Sequence, residues 1–425
     1  MFYQVKPVDQ LFFRSSAPFE GTQLFASQFP PLPSTYGGVF QMLAKGMEQR
    51  KRLRLSYNGV VLTHKNGFDF CFPQPLDTLC LEKEIDISET DLAEKKKKQV
   101  VLETMRLKPR PHSNLHKHLP LCLVPKNLPN KNDSDARIYI KKDVLKAYLS
   151  GDMSQAFEQE TSQLFNLDDY LLKERKIGIG TDSETGRVKE SQLYQIGMVR
   201  PVEGLQLVAE ASSAFKGEEM LTIEQDFIKL GGEGKTVQIE KTDLALSIKS
   251  KIVEKEVAEE ELDYASDYFK LYFATPAIFA NGWFPRWLRE EKEGLIGSFS
   301  HKGKKVEFRL IAAAVGKPEA VGGFDPYKNE PKELRYAIPA GSVYYFQVMG
   351  NTTLKDIKKL FHQKCLSDYR EGIDKINNEP YQFNRPKIVF DRLTYCDRGF
   401  GYALVGAVDK NMIKELEEVC LRIKD

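Results

Sequence analysis

Cysteine is scarce in this 425-residue chain: six residues, at positions 71, 80, 122, 365, 396 and 420, with no CxxC pair among them. That excludes a disulfide framework and the usual paired zinc spacings, and it suits thiols kept in a reducing compartment. Long hydrophobic runs are missing as well. Stretches such as Leu310-Ile-Ala-Ala-Ala-Val315 fall far short of the roughly 20 apolar residues that a membrane-spanning helix needs. The start, Met1-Phe-Tyr-Gln-Val-Lys-Pro7, lacks the basic region and apolar stretch of a secretory signal, so a cytoplasmic protein with no membrane contact is expected. An excess of one charge is also lacking, since 62 Lys and Arg against 60 Asp and Glu leave +2. Net charge therefore does not announce nucleic-acid binding by itself.

What the chain does have is 41% hydrophobic and 11% aromatic residues, enough for two or three packed domains. Charge is segregated locally: Lys95–Lys98 and Lys108-Pro-Arg110-Pro-His112 contrast with the acidic Glu254–Glu261 stretch. Two glycine loops stand out. Gly399-Phe400-Gly401 runs on as GFGYALVG into the last predicted strand, and Leu230-Gly-Gly-Glu-Gly-Lys235 holds the corresponding place in the first half. Such loops can turn successive backbone N–H groups toward a phosphate, and either alone reads equally well as a helix C-cap.

The periodicity predicts a strand at 2–6. A helix opens at Pro33-Ser34-Thr35, with Ser34 or Thr35 as N-cap and Tyr36, Val39, Phe40, Leu43 and Met47 on one face. Residues 50 to 190, rich in lysine and proline, read as a large insertion with helices near 142–149 and 160–174. A β-hairpin is expected from 193–199 and 205–211, then a helix carrying Met220, Ile223 and Phe227 up to Gly231-Gly232, then a strand at Val237 and Ile239. The second half repeats this order: a strand at 268–273, a short helix from Pro285, strands at 306–314 and 342–349, a helix capped by Thr353-Leu-Lys-Asp356, a strand at 402–408 and a last helix at 412–423. The fold class expected is α+β: two ferredoxin-like (RRM-like, βαββαβ) domains in tandem, over 1–246 with the insertion at about 50–190, and over 247–425. In such a unit one sheet face stays open, so that face and the glycine loop at its rim are expected to be available to a ligand.

Histidine chemistry is the rival reading. His112, His116, His118 and Cys122 lie close together but in a proline-rich loop with no second cluster, so no metal and no cofactor are expected. A metal-independent endoribonuclease would use His112, His116 or His64.

Several segments together resemble the Cmr subunit three family, of the RAMP superfamily in type III-B CRISPR effector complexes. They are Leu11-Phe-Phe-Arg14 with Pro18-Phe19, Phe29-Pro-Pro-Leu-Pro-Ser-Thr35, Ile177-Gly-Ile-Gly180 with Asp182 and Glu184-Thr-Gly186, Leu193-Tyr194, Leu230-Gly-Gly-Glu-Gly234, Ala274-Thr-Pro-Ala277 with Ala280-Asn-Gly-Trp283, Pro339-Ala-Gly-Ser-Val-Tyr344, and Gly399-Phe-Gly401. One departure is Ser15-Ser16-Ala17, where the family pattern has Asp-Gly-Arg. The resemblance implies two ferredoxin-like domains and no catalysis. It implies a cap that holds the repeat-derived 5′ tag of the guide RNA and docks against a large polymerase-like subunit and a backbone subunit. A single-stranded tag needs cations, N–H donors and flat rings. Arg14, Lys235, Arg335 and Arg398 are the expected cations; Ser34, Thr35, Gly231, Gly232, Gly234, Gly399 and Gly401 the donors; and Phe400, Tyr344 and Tyr345 the rings, with core packing the alternative for the aromatics.

Overall fold

The computed structural model describes residues 1–14, 24–44, 50, 53–65, 67–85, 97–109, 119–126, 136–151, 163–181, 185–213, 225–242, 267–301, 304–325, 330–368, 394–409 and 412–414. Strand-forming alternation dominates them. An eight-stranded antiparallel sheet is built from β1 (Phe2–Pro7), β2 (Leu53–His64), β3 (Gly67–Pro73), β4 (Ile138–Lys141), β5 (Leu164–Asn166), β6 (Leu205–Ser213), β7 (Gln225–Lys229) and β8 (Thr236–Thr242), in the order β5-β4-β3-β2-β6-β1-β8-β7. A seven-stranded antiparallel sheet follows: β9 (Tyr268–Phe273), β10 (Leu288–Glu291), β11 (Gly294–His301), β12 (Lys304–Ala314), β13 (Val343–Met349), β14 (Lys364–Cys365) and β15 (Tyr402–Ala407), ordered β10-β11-β12-β13-β9-β15-β14. The four central strands of each half match: β2-β6-β1-β8 in the first and β12-β13-β9-β15 in the second.

Among the described residues each sheet carries one helix on its outer face. Helix α1 (Pro33–Leu43) starts with proline at N1, where a missing N–H costs nothing, and buries Tyr36, Val39, Phe40 and Leu43 against Tyr3, Val5, Leu207 and Ile239. Neither Ser34 nor Thr35 is its cap. The N-cap is Leu32, without a side-chain hydrogen bond. Helix α2 (Lys142–Ser150) stops at Gly151, whose φ of 77° is left-handed and whose missing Cβ would meet the Val408 carbonyl at 3.1 Å. Helix α3 (Leu354–Phe361) carries the full capping box of Thr353 and Asp356, and it packs Ile357, Leu360 and Phe361 on Phe269, Phe308 and Phe346.

The inner faces meet. Phe2, Tyr57, Val61, Phe70 and Val208 of the first sheet share one apolar cluster with Tyr268, Tyr272, Tyr345, Tyr402 and Leu404 of the second, and α2 contributes Val144, Leu145 and Tyr148. Strand β9 is accordingly buried at all six positions: Phe269, Leu271 and Phe273 join the α3 side, while Tyr268 and Tyr272 join the inter-sheet side. The open sheet face expected of a ferredoxin-like unit is therefore covered by the other half. Hydrogen bonds across the seam reinforce it, from Leu55 N to Asp397 O at 2.7 Å, Leu76 N to Gly341 O at 2.9 Å and Tyr272 Oη to Pro73 O at 2.6 Å.

Further expectations change. The 50–190 stretch is no detachable insertion, because β2 to β5 and α2 belong to the first sheet and the inter-sheet core. In place of a helix at 160–174 come β5, a 3-10 turn (Leu167–Tyr170) and the long strand Leu171–Thr181. Residues 193–199 and 205–211 do not pair with each other. Strand Val188–Pro201 pairs with Leu171–Thr181 and Leu24–Ala26 in a separate three-stranded sheet, whereas β6 pairs with β2 and β1, so the turn at 202–204 passes the chain between sheets. Phe227, expected on a buried helical face, is 60% exposed on strand β7; Met220 and Ile223 lie outside the described residues. Pro285 opens a turn into β10 rather than a helix, although Trp287 and Leu288 are buried as expected. Met47 and most of 412–423 lie outside the described residues.

Candidate RNA-binding surface

The structure sorts the predicted contact residues into two places. At the first, Gly231 and Gly232 turn the chain between β7 and β8 and sit against the segment that ends in Arg14. A Cβ on Gly231 would lie 2.5 Å from the Phe12 carbonyl, and Gly232 N–H donates to that same carbonyl at 2.8 Å. Gly231, Glu233 and Gly234 all have positive φ, and Gly234 has open space around it. Lys235 pairs with Asp9 at 3.5 Å, Asp9 with Arg200 at 3.0 Å, and Arg200 with Glu174 at 2.7 Å. Arg14 is exposed, and it bridges to Ser27 through the backbone.

The long hairpin of Leu171–Thr181 and Val188–Pro201 borders this loop, because Lys176 pairs with Glu233 at 3.2 Å. It presents exposed Lys173, Arg175 and Lys176, together with Ile177 at 63% and Ile179 at 50% exposure. Ile177–Gly180, one of the segments singled out in the sequence, lies in this hairpin, but the three cations beside it were not among the expected contacts. Their run as Lys173-Glu-Arg-Lys176 directly before Ile177 was the available signal. Asp168 at the hairpin base takes Arg137 at 2.8 Å and Lys173 at 3.0 Å, and hydrogen bonding from Arg137 holds its carboxyl down to about 2.

The second place is the seam. Phe400 is fully buried with Leu32, Ile278, Val321 and Ala337, and its ring meets Tyr395 edge-on. The three amides of the loop already donate inside the protein: Gly399 to Cys396 O, Phe400 to Tyr395 O and Gly401 to Pro276 O. A Cβ on Gly399 would lie 2.1 Å from Asn58 Nδ2, and one on Gly401 2.9 Å from Ser367 N. Arg398 lies along Gly37 of α1, in whose first turn Ser34 and Thr35 are half-buried, while its carbonyl accepts from Asn58. Arg335 pairs with Glu333 on a strand whose partner residue, Val321, touches the same apolar cluster. Tyr344 and Tyr345 are both about 1% exposed and belong to the core. The phosphate cradle and base platform expected at 399–401 are thus occupied by protein.

The family model described as CRISPR-associated protein (Cas_Cmr3) matches residues 3–366. The chain belongs to the Cmr3 family of CRISPR-associated proteins. That match ends ahead of Gly399–Gly401, so the placement rests on the segments from β1 to β14. Among solved structures the Cmr3-family chain is similar to one titled as the type III-B Cmr-beta bound to cognate target RNA and AMPPnP, at 15% identity, 81% coverage of this chain, 86% of the other, and TM-score 0.40. A related Cmr-beta structure bound to cognate target RNA gives 16%, 81%, 86% and 0.42. A Csm3-Csm4 subcomplex of a type III-A CRISPR-Cas interference complex gives 14%, 82%, 93% and 0.32. No curated protein matches the sequence.

Of the histidines weighed for a nuclease, His112 and His116 lie outside the described residues, as does His118 of the proposed cluster, and His64 pairs with Asp69 at 3.7 Å at a strand end. His362, which the sequence did not single out, is held down to about 4 by burial and accepts from Val405 N at 3.1 Å through Nδ1. Among the described residues no cluster of three or more metal-ligating side chains occurs, and no helix is long and apolar enough to cross a membrane.

Proposed function

We propose that this Cmr3-family chain is a non-catalytic RNA-binding subunit of a type III-B CRISPR effector complex. In this reading it holds the repeat-derived 5′ tag of the guide RNA and docks to a large polymerase-like subunit and a backbone subunit. Its two halves then act as tandem ferredoxin-like units, a reading supported by their shared order of four central strands. The observation that carries the proposal is the family match over residues 3–366. The geometry adds where the RNA would lie. The loop at Gly231–Lys235 and the basic edge of the long hairpin offer cations and open space, while the loop at Gly399–Gly401 serves to join the halves.

Filter binding of a tag-bearing RNA to the purified chain across a salt series tests this directly. Binding should weaken steeply with salt, and each phosphate contact removed should flatten the log–log slope by about 0.7. Salt-insensitive or absent binding would overturn the RNA reading. Cleavage of the RNA in EDTA, lost on His64→Ala or His112→Ala, would replace it with the nuclease.

A further inference from the structure

Where the two halves meet beside α1, the described residues enclose a cavity of about 490 Å³. Its walls are largely apolar, from the Phe29–Pro33 segment on one side and Ala274–Pro276 on the other. The titratable and charged side chains that face it are Tyr57, Cys71, Arg137, Tyr139 and Glu319. Most of them are already committed. Tyr57 donates to the Cys71 carbonyl and Cys71 to the Asp69 carbonyl, at 3.2 and 3.3 Å. Arg137 forks onto Asp168 at 2.9 and 2.8 Å and reaches the Phe29 carbonyl.

Two acceptors remain. Among the described residues Glu319 has one partner, the neutral amide of Gln28 at 3.2 Å, and no counter-ion. Asn58 is 7% exposed; its Nδ2 donates to the Arg398 carbonyl, and its Oδ1 is buried without a partner. A carboxylate in an apolar cleft with no cation paired to it, the one charged neighbour Arg137 being committed to Asp168, is costly unless something positive arrives, and an orphaned amide oxygen asks for an N–H donor. Both demands are met by one chemical class.

We propose that this cavity binds a cation on an alkyl stem, an alkylguanidinium or alkylammonium group, with Glu319 as its counter-ion and Asn58 Oδ1 as second acceptor. The apolar walls would cover the stem, as they do for arginine and lysine side chains elsewhere. The source is either an arginine or lysine side chain of a neighbouring protein chain or a free polyamine. Burial pushes the Glu319 carboxyl up to about 7, so an arriving cation that ionises it releases about half a proton at pH 7. The site is separate from the RNA surface, and failure of the RNA reading leaves it standing.

The test is calorimetric titration of the purified chain with butylguanidinium and with its neutral isostere butylurea, in two buffers of different ionisation heat. Butylguanidinium should bind at least tenfold more tightly and release about half a proton at pH 7. Glu319→Gln should erase both the preference and the proton release without lowering the melting temperature. Glu319→Asp, which keeps the charge on a shorter stem, should keep the release with weaker binding, and it serves if the Gln variant does not fold. Equal binding of the two probes, no binding of either, or a tenfold preference retained in Glu319→Gln would overturn the proposal. Repeating the titration on the assembled complex assigns the source: a site then closed to butylguanidinium is filled by a neighbour's side chain, and one still open serves a free amine.

Discussion

Gly399 and Gly234 share a left-handed backbone, with φ of 94° and 62°, and little else. A methyl group at Gly399 must displace the Asn58 amide 2.1 Å away, whereas at Gly234 it meets nothing within 4 Å. Gly399→Ala should therefore cost roughly 2–4 kcal/mol, from backbone strain plus overpacking, and Gly234→Ala only about 1–2 kcal/mol from strain. Urea denaturation of the two variants compares them, and equal losses would show that the 399 loop is not wedged against the first half. Asp168 yields a pH prediction. Its folded pKa lies below the ordinary carboxylate value of 3.8, so its stabilisation is present above that value and is lost as pH falls toward about 2. Asp168→Asn should flatten the acid limb of the stability curve between pH 4 and 2, discounted because the pair is partly exposed.

At the scale of elements, the long hairpin and α3 make opposite predictions. Replacing Lys173, Arg175 and Lys176 together with glutamine should weaken tag binding at least tenfold with the melting temperature only slightly lowered, because these side chains are exposed and the ion pairs they lose, to Asp168 and Glu233, are partly exposed. Electrophoretic mobility shifts beside a thermal melt read out both halves of that statement. Thr353→Ala removes one side of the α3 capping box and should cost about 1 kcal/mol, with RNA affinity untouched. The α3 box was legible from Thr353 and Asp356 alone. The strand at 225–229 was not, since Phe227 and Ile228 fit a helical face as well as an alternating strand, and pairing with β8 decided between them.

For the whole molecule the two halves stand or fall together. A fragment of residues 1–246 would expose Phe2, Tyr57, Phe70 and Phe72 to water, so it should aggregate or bind a hydrophobic dye where the full chain does not. The seam also holds a buried cation. Lys270 is 2% exposed, with its ammonium 3.4 Å over the Tyr148 ring and Asp77 nearby, and burial lowers it to about 8. A base whose folded pKa lies below its unfolded 10.5 destabilises most below pH 8, and that cost fades as pH rises toward 10.5. Glu319 works the other way: raised to about 7 from 4.5, it draws stability down as pH climbs through that window. Chemical denaturation from pH 4.5 to 7 should show a gentler decline in Glu319→Gln than in the parent chain.

The sequence alone determined the class, the family resemblance, the strands β1, β6 and β8 of the first half and β9, β12, β13 and β15 of the second, but not β2, because alternating apolar residues and local caps are properties of a few consecutive positions. Tyr36, Val39, Phe40 and Leu43 announced α1, and Phe269, Leu271 and Phe273 announced β9. Only the tertiary structure decided that the inner sheet faces cover each other, that 193–199 and 205–211 part into different sheets, and that Gly399–Gly401 spends its amides within the protein. The reason is physical. A glycine's amide or an aromatic's ring has the same local chemistry facing RNA or a neighbouring strand, and which of the two it meets depends on residues hundreds of positions away, as Asn58 is from Gly399.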